Sequence, residues 1–325
     1  MLMNYFLIRL AFDTAVHFGA SDTALSLSVS ENCIHADTLF SALCHTALQL
    51  HGEAALLQLC GWVREGTFLL SDTMPWRGDD CFLPKPFVVP EARKELPANW
   101  RKAMKKMAWI PVRSFSFFSE SLQGGEPFDP LAHSASFGFQ MEATRAFVSD
   151  GTDTVPYRVG LYQFEEDCGL YVILAVESEE QERKLLSLLR CLGMGGIGGK
   201  VTSGCGKFHI ADVKALNECG DSQSEWLYRA LTEEGARSLL LSASLPREEE
   251  MESSLKDASF QIVRRGGFAA SETYSEVPRK KKTQYFLRAG SVFSQRFEGA
   301  LYSVGEYGNH PIYRYGKPLF LGVDL

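Results

Sequence analysis

The chain concentrates seven of its 28 glycines between Leu192 and His209. They are Gly193, Gly195, Gly196, Gly198, Gly199, Gly204 and Gly206. Because glycine loses more conformational freedom on folding than other residues, such a cluster indicates a backbone that bends sharply and passes close to another group. The leucines of residues 181–192 recur at helical spacing, and residues 207–213 read as extended. We therefore predict that this glycine loop (residues 193–206) joins a helix to a strand.

Two familiar phosphate-binding motifs do not fit the glycine loop. Gly193, Gly195 and Gly198 match G-x-G-x-x-G, but that motif follows a strand and opens a helix, the reverse of the order here. The phosphate loop of nucleoside triphosphatases needs a hydroxyl after its lysine, whereas Val201 follows Lys200. Two interpretations stay open, a loop lying against a phosphate chain and a glycine-tolerant turn without a ligand.

The end of the glycine loop carries a resemblance to a known family. Residues 204–208 read Gly-x-Gly-x-Phe directly before the predicted strand. This arrangement resembles the glycine-rich signature of the RAMP superfamily, the ferredoxin-like RNA-binding proteins of CRISPR systems. Further segments look like the subunit of the type III-A (Csm) effector complex that caps the 5′ end of the CRISPR RNA. They are residues 12–19, 34–43, 82–86, 264–268, 279–282, 289–293 and 310–316.

The resemblance implies a function and a set of partners. In the resembled family, the repeat-derived 5′ handle of the CRISPR RNA is held between the glycine loop, the first helix and neighbouring subunits. The implied partners are this RNA, the large polymerase-like subunit and the backbone RAMP subunit, which the protein would bridge. No cleavage is implied, because target cutting belongs to the backbone subunits and polymerase-type chemistry to the large subunit.

Composition sets broad limits. The chain has 325 residues, of which 45% are hydrophobic and 22% charged, which suits two globular domains. No apolar stretch approaches the roughly 18 to 20 residues of a membrane span, and residues 1–12 lack a signal-peptide cleavage pattern. We expect a cytoplasmic prokaryotic protein. The eight cysteines and seven histidines lack metal-site spacing, so we expect reduced thiols, no metal and no cofactor.

Charge is segregated along the chain although the net charge is −7. Residues 85–113 hold eight basic and two acidic side chains, and residues 259–325 hold ten and five. Residues 214–258 hold five basic and ten acidic side chains. This distribution suits a protein that grips an anionic chain on one face and exposes an acidic face elsewhere. Ordinary solvated helix faces would produce similar runs.

Hydrophobic periodicity predicts an α+β fold. Residues 4–12 read as a strand, a helix is expected to begin at the N-cap Asp37, and strands are expected at 154–164 and 170–176. Together with the helix and strand around the glycine loop, this is the βαββαβ order of a ferredoxin-like, RRM-like domain.

Two domains are predicted. Residues 1–214 form an N-terminal ferredoxin-like RAMP domain, with an insertion at about 75–135 that reaches outward to a neighbour or ligand. Residues 215–325, starting with a helix at 225–242, form a degenerate second domain of the same kind, an assignment that rests largely on the RAMP resemblance.

The predicted RNA-binding residues combine the glycine loop with the first helix and the basic C-terminal part. They are His17, Phe18, Gly19, His35, Asp37, Thr38, Gly193, Gly195, Gly196, Gly198, Gly199, Lys200, Ser203, Gly204, Gly206, Lys207, Arg264, Arg265, Arg279, Lys280, Lys281 and Lys282. The glycines of residues 195–199 are expected to turn backbone N–H groups toward phosphates and bases. Lys200, Ser203 and Lys207 would add charge and hydroxyl contacts.

Some of these residues have plainer alternatives. Asp37 is expected chiefly to cap its helix, and His17 and His35 fit base contact and a semi-buried structural role equally. Side chains alternate along an extended segment, so about half of residues 279–282 can meet one RNA face. Four nearby aromatic residues are expected in the core, namely Phe268, Tyr274, Phe286 and Phe293.

Two other functions compete with RNA capture. Some RAMP proteins are metal-independent endoribonucleases, and here His17, His35 or His209 would do the acid–base work on CRISPR precursor RNA. A scaffold without RNA affinity is the third class. A bulky residue at Gly196 or Gly199 is expected to weaken RNA capture while leaving the fold largely intact.

Overall fold

The computed structural model describes residues 3–19, 27–88, 99–147, 155–271, 273–305 and 308–325. The helices in these ranges are α1 (Ala36–His51), α2 (Glu53–Glu65), α3 (Trp100–Lys106), α4 (Phe115–Leu122), α5 (Glu179–Gly195), α6 (Ser222–Thr232) and α7 (Met251–Leu255). The strands are β1 (Asn4–Phe12), β2 (Phe18–Gly19), β3 (Ser30–Glu31), β4 (Phe68–Leu70), β5 (Met74–Arg77), β6 (Asp80–Pro84), β7 (Trp109–Pro111), β8 (Gly138–Phe147), β9 (Val155–Phe164), β10 (Cys168–Val176), β11 (Phe208–Ala215), β12 (Arg237–Leu240), β13 (Ile262–Arg265), β14 (Gln284–Leu287), β15 (Val292–Phe293), β16 (Leu301–Ser303), β17 (Tyr313–Tyr315) and β18 (Phe320–Val323).

β1 lies at the centre of the main sheet because both of its edges are paired. It runs antiparallel to β10 and to β11, with Ile8 opposite Val172 on one side and Val213 on the other. β4 and β5 pair antiparallel with the far edge of β10, and β6 and β7 extend the sheet. The resulting strand order is β11-β1-β10-β5-β6-β7, with β4 also on β10.

Both faces of the main sheet are buried. Side chains alternate along β1, so Ile8 and Leu10 enter the core formed with α1, α2 and α5, whereas Leu7 enters a second core on the opposite face. Leu239 and Leu321 from the C-terminal part contribute to this second core. Within the described ranges, these strands leave no open face of the kind on which RRM domains stack bases.

The predicted helix before the glycine loop is confirmed as α5. Ser178 and Gln181 form a capping box, in which the Gln181 N–H donates to the Ser178 hydroxyl and the Gln181 side chain accepts from the Ser178 N–H. Leu185 and Leu189 are fully buried against the sheet. Capping and burial together fix the direction in which α5 enters the glycine loop.

The strand predicted at 154–164 occupies a different place from the one expected. β9 pairs along its whole length with β8, in a two-stranded ribbon outside the main sheet, and residue 154 lies outside the described residues. β4 and β5 take the position beside β10 instead. A period of two identifies a strand but does not identify its partner.

Two further expectations are wrong. The insertion at about 75–135 packs inward, because Ile110, Phe115 and Phe128 are buried in the second core; its residues 89–98 lie outside the described ranges. The helix predicted at 225–242 is the shorter α6, and β12 follows it. Gly235 breaks the helical pattern where the backbone touches the last strand, since a Cβ there would lie 2.3 Å from the Val323 nitrogen.

The C-terminal part forms small antiparallel sheets. β12 pairs with β15 and β18, β13 pairs with β14, and β16 pairs with β17. Tyr315 links this part to the main sheet, because its hydroxyl accepts a hydrogen bond from the Leu70 N–H at 2.9 Å. None of the helices in the described ranges is long and apolar enough to cross a membrane.

Candidate functional site

A groove of about 730 Å³ lies between the N-terminal helices and the C-terminal ribbon, by which we mean β13, β14 and the paired residues 267–269 and 279–281. Its other walls are β2, the start of α1 and the glycine loop. Twelve predicted site residues line it, namely His17, Phe18, Gly19, His35, Asp37, Thr38, Gly195, Gly196, Gly198, Gly199, Arg265 and Lys281. The fold thus gathers residues from both ends of the chain into one surface.

The glycine loop lies directly on the segment that carries His17. The Gly199 N–H donates to the His17 carbonyl at 2.8 Å, and the Gly206 N–H donates to the Ala15 carbonyl at 3.0 Å. Gly206 has a φ of 78°, and a Cβ there would lie 2.0 Å from the Ile197 carbonyl oxygen. The close approach that the glycines predict is therefore, at these positions, an approach to the protein's own backbone.

The expectation that the amides of residues 195–199 face phosphates is wrong for two of them. The Gly196 N–H donates to the Leu192 carbonyl at 2.7 Å, and the Gly199 amide is taken by His17. A bulky residue at Gly196 would also disturb the loop, because its φ is 92° and a Cβ would lie 2.7 Å from the Cys205 carbonyl oxygen.

Gly195 differs from its neighbours in the loop. It is exposed, it lines the groove, and a Cβ at this position would meet nothing within 4 Å. Gly195 is therefore a position where the loop is open to a ligand.

Ten predicted residues do not line the groove, namely Gly193, Lys200, Ser203, Gly204, Gly206, Lys207, Arg264, Arg279, Lys280 and Lys282. Gly193 is buried in α5, where a Cβ would lie 2.2 Å from the Phe208 carbonyl oxygen. The Lys200 ammonium lies 3.3 Å from the Tyr157 hydroxyl and stacks over that ring. Packing of α5 against β11 explains the placement of Gly193, and contact with the β8–β9 ribbon explains that of Lys200.

The start of α1 is capped by Asp72, a side chain from outside the helix. The N-cap position is His35 rather than Asp37, so the predicted capping role of Asp37 is wrong. Asp72 accepts a hydrogen bond from the Ala36 N–H at 2.7 Å, and its other oxygen lies 2.7 Å from His35 Nδ1. Asp72 also accepts from the Ala243 N–H at 2.8 Å, which ties α1 to the C-terminal part.

Asp37 instead forms the centre of a buried ionic cluster. Arg265 donates to both of its oxygens, at 3.0 and 2.7 Å, and also to the Thr38 hydroxyl at 2.7 Å. Arg314 Nε lies 3.7 Å from Asp37 Oδ2. Burial opposes ionisation of Asp37, but the charge and hydrogen bonds of Arg265 hold its pKa below the ordinary value. Two guanidinium groups around one carboxylate leave a net positive charge in the groove wall.

The three histidines of the endoribonuclease hypothesis are each engaged by protein oxygen atoms. His17 is buried and its Nδ1 lies 2.7 Å from the Gly160 carbonyl oxygen, so Nδ1 carries the proton. His35 is paired with Asp72, as described. His209 is exposed on β11, with Nδ1 2.8 Å from Asp13 Oδ1, and does not line the groove. Burial and pairing favour a structural role for His17 and His35.

The basic run 279–282 divides between two sides of the C-terminal ribbon. Lys281 lines the groove. Lys280 lies across the ribbon from Phe268, with its ammonium 5.7 Å from the centre of that ring. Phe268 is 54% exposed, so its predicted place in the core is wrong, whereas three aromatic residues are buried as expected, namely Tyr274, Phe286 and Phe293.

Sequence reasoning missed His45, Asp72 and Arg314. His45 lines the groove, and burial together with the nearby charge of Lys281 lowers its pKa. Arg314 falls inside one of the segments that carried the family resemblance, but Asp72 and His45 stand in no local motif. In the part of the chain that the structure describes, no cluster of His, Cys, Asp or Glu could hold a metal ion.

Comparisons with known proteins agree along the whole chain. Residues 233–323 match the family model for the CRISPR Csm4 C-terminal domain. "CRISPR system Cms protein Csm4" of Mycobacterium tuberculosis (strain ATCC 25618 / H37Rv) is 36% identical, over 99% of this chain and 98% of the relative. The protein of the same description from Streptococcus thermophilus is 28% identical, over 99% of this chain and 100% of the relative.

Solved structures show the same fold. One similar chain comes from the Csm3-Csm4 subcomplex of the type III-A CRISPR-Cas interference complex, with a TM-score of 0.63 and 16% identity over 98% of this chain and 99% of that one. Another comes from the Csm1-Csm4 cassette in complex with cA4, with a TM-score of 0.62 and 18% identity over 99% and 98%. Fold and sequence together define a subunit of a type III-A CRISPR effector complex. Within that class, the chain belongs to the Csm4 family.

Proposed function

We propose that this protein is a non-catalytic RNA-binding subunit, and that its groove holds the repeat-derived 5′ handle of the CRISPR RNA. The proposal rests on one observation above all: Asp37 and Arg265, from opposite ends of the chain, form a buried ion pair in the wall of a groove that the glycine loop also lines. Both halves of the protein are needed to build this surface.

The chemistry of the groove suits a single RNA strand. Arg265, Arg314 and Lys281 supply positive charge against the carboxylates of Asp37 and Glu31. Phosphate contacts of this kind position a strand, and hydroxyl and imidazole groups beside them can contact riboses and base edges. The open surface at Gly195 lets a strand approach the backbone of the loop without a side chain between them.

We also propose that the first half is a ferredoxin-like unit. Its elements are β1, α1, β4 with β5, β10, α5 and β11, and their antiparallel order across the sheet is β11-β1-β10-β4. This is the βαββαβ arrangement with the first and third strands in the middle. In this proposal residues 1–214 are the first domain, and residues 215–325 are a degenerate second domain that covers the back of its sheet.

Two protein partners follow from the relatives. A similar chain was solved with Csm1 and another with Csm3. We propose that this protein likewise joins the large subunit to the backbone subunit in the cell of a prokaryote. Copurification of the tagged chain with both subunits, from cells that carry the complete set, tests this bridging role.

RNA binding is tested with two glutamates placed at matched glycines. Gly195 and Gly220 are both exposed, neither has a positive φ, and a Cβ at either meets nothing within 4 Å, but only Gly195 lines the groove. Gly195→Glu is therefore expected to weaken handle-RNA binding, while Gly220→Glu leaves it unchanged. At about 8 Å from a phosphate and an effective dielectric of about 20, the repulsion is about 2 kcal/mol, or roughly thirtyfold in Kd before screening by salt.

The titration should be run at two salt concentrations. Affinity carried by phosphate contacts falls as salt rises, and screening at about 0.15 M should shrink the effect of Gly195→Glu to a few fold. Equal affinity of the two glutamate variants at both salt concentrations would remove the groove from the RNA site. No salt-dependent binding of the unchanged protein would favour the scaffold function.

The non-catalytic assignment needs its own experiment. His35 paired with Asp72 is the arrangement closest to an activated acid–base group. Incubation of the purified protein with labelled CRISPR precursor RNA should leave the RNA intact. Site-specific cuts that disappear in His35→Ala or His17→Ala would establish the endoribonuclease instead.

A further inference from the structure

The C-terminal ribbon has a second face that the groove does not use. In its antiparallel ladder, Arg265 lies opposite Gln284 and Arg264 lies opposite Tyr285. Residues directly opposite each other share a face, and successive residues alternate. Because Arg265 points into the groove, Arg264 and Tyr285 lie on the other side of the ribbon.

This outer face is basic and aromatic. We define the outer ribbon face as Ile262, Arg264, Phe268, Lys280, Lys282 and Tyr285, all of which are exposed. The exposed fractions of Ile262, Phe268 and Tyr285 are 60%, 54% and 59%, so three large apolar or aromatic side chains face solvent here. Residues 262–271 and 279–288 contain seven Lys or Arg and no Asp or Glu, in a chain whose net charge is −7.

The composition of this face favours a nucleic acid over a protein. Protein interfaces are enriched in aromatic residues and Arg but depleted in Lys, whereas Lys280 and Lys282 stand in the middle of this surface. Basic side chains interleaved with exposed aromatic rings are the surface on which single-stranded nucleic acids bind, with phosphates on the cations and bases on the rings. Phe268 already stacks with the Lys280 ammonium, so Tyr285 is the ring open to a base.

We propose that the outer ribbon face is a second binding site for single-stranded RNA, separate from the groove. Lys280 and Lys282 would contact phosphates, and a base would stack on Tyr285. Arg264 and Tyr285 lie on the opposite side of the ladder from Arg265, and Lys280 and Lys282 do not line the groove although Lys281 between them does. A strand that leaves the groove can therefore cross the ribbon edge and continue on the outer face. A separate RNA strand would use the same chemistry.

The test uses the full chain and fluorescence anisotropy with labelled oligouridine. The Lys280→Glu/Lys282→Glu variant is compared with Lys102→Glu/Lys105→Glu, which makes the same charge change on exposed residues of α3. The ribbon variant is expected to lower affinity for an oligomer of about 16 nucleotides and to reduce the slope of log K against log salt by about 1.4, or about 0.7 per lost contact. Tyr285→Ala is expected to lower affinity at least about fivefold with the slope unchanged.

Oligomer length and the groove variant separate this proposal from the proposed function. An oligomer of about 5 nucleotides is long enough to fill one site. When it carries the handle sequence, its affinity should fall in Gly195→Glu. When the groove already carries Gly195→Glu, the remaining affinity should fall further on addition of Lys280→Glu/Lys282→Glu. If only Gly195→Glu matters at both lengths, the outer face is not an RNA site and the groove stands. If only the ribbon variants matter, the groove fails and the outer face stands.

Two results would overturn the proposal outright. An equal loss with the α3 variant would mean that net charge alone is responsible. Unchanged RNA affinity of the ribbon variants, together with lost copurification of the backbone or large subunit, would make this face a protein interface. Urea unfolding confirms that each variant is folded, and Lys280→Gln/Lys282→Gln replaces the charge reversal if it is not.

Discussion

The buried ionic cluster around Asp37 stabilises the fold and also shapes the charge of the groove. Replacing Asp37 by Asn separates these two effects. The side chain of Asp37 is 7% exposed, and those of Arg265 and Arg314 are 16% and 3% exposed. Removing one partner of a buried ion pair costs about 3–5 kcal/mol, because the other charge is left unpaired away from water. Arg265 is the more accessible arginine and can recover some hydration, so we expect a loss of about 3 kcal/mol in the free energy of unfolding.

The pH dependence of the same variant has a definite sign. Because the pKa of Asp37 is lowered in the folded protein, its contribution to stability is present above the unfolded pKa and disappears as pH falls through the folded pKa. The Asn variant lacks this contribution, so the difference in stability between the two proteins should be full at neutral pH and shrink in acid. The unfolded carboxyl titrates near pH 3.9, so urea unfolding at about pH 7 and again at about pH 2.5 measures this change.

A matched control and RNA binding complete the test. Asp13→Asn makes the same change in the exposed pair with His209, where a loss below about 1 kcal/mol is expected. Asp37→Asn should bind handle RNA at least as tightly as the unchanged protein, because a carboxylate that repels phosphate is gone from the groove. A loss of stability no larger than that of Asp13→Asn would mean that the Asp37–Arg265 pair does not stabilise the fold, and a clear fall in RNA affinity would mean that the Asp37 carboxylate does not oppose RNA binding.

Further predictions concern the packing of the glycine loop, the pH dependence of RNA affinity and the hydrogen bond that links the C-terminal part to the main sheet. Gly206→Ala should lower the free energy of unfolding measured in urea, because its Cβ would lie 2.0 Å from a carbonyl oxygen at a φ of 78°. Gly195→Ala should leave this free energy unchanged, and equal effects of the two variants would contradict the loop packing. The pKa of His45 is below its ordinary value of about 6.5, and His45 gains a positive charge as pH falls through that pKa. RNA affinity should therefore rise in titrations from about pH 7.5 to 5, and His45→Gln should abolish this rise. Tyr315→Phe should cost about 1–3 kcal/mol in unfolding free energy by leaving the buried Leu70 N–H without its acceptor, and a smaller loss would mean that the hydroxyl is dispensable.

The strands and helices around the glycine loop could be predicted from periodicity, but their partners could not. β1, β10 and α5 each carry a strong hydrophobic pattern at the expected places. β9 is a strand as predicted, yet it pairs with β8, because its partner is set by contacts that no local pattern records. The short strands β4 and β5, which take the place beside β10, have only three and four residues and give little periodic signal.

The parts of the site that could be predicted are those where a residue type has one common structural role, as glycine has in close backbone approach. Density of glycine correctly indicated close backbone approach, and it could not indicate that the approaching group at Gly206 and Gly199 is protein backbone rather than phosphate. Asp37 was singled out by its position at a helix start, but its partner Arg265 lies 228 residues away. Asp72, which caps α1 from outside, could not be found by any rule based on residues next to the helix.

In the function proposed above, the 5′ handle lies in the groove between the glycine loop and the C-terminal ribbon. Photocrosslinking of handle RNA that carries 4-thiouridine, followed by mass spectrometry of the crosslinked peptides, locates the RNA on the protein. We expect crosslinks in peptides that contain Gly195 and Arg265, and we expect these crosslinks to be lost in Gly195→Glu but kept in Gly220→Glu. Crosslinks confined to peptides outside the groove, such as those of the basic helix α3, would contradict this placement of the handle.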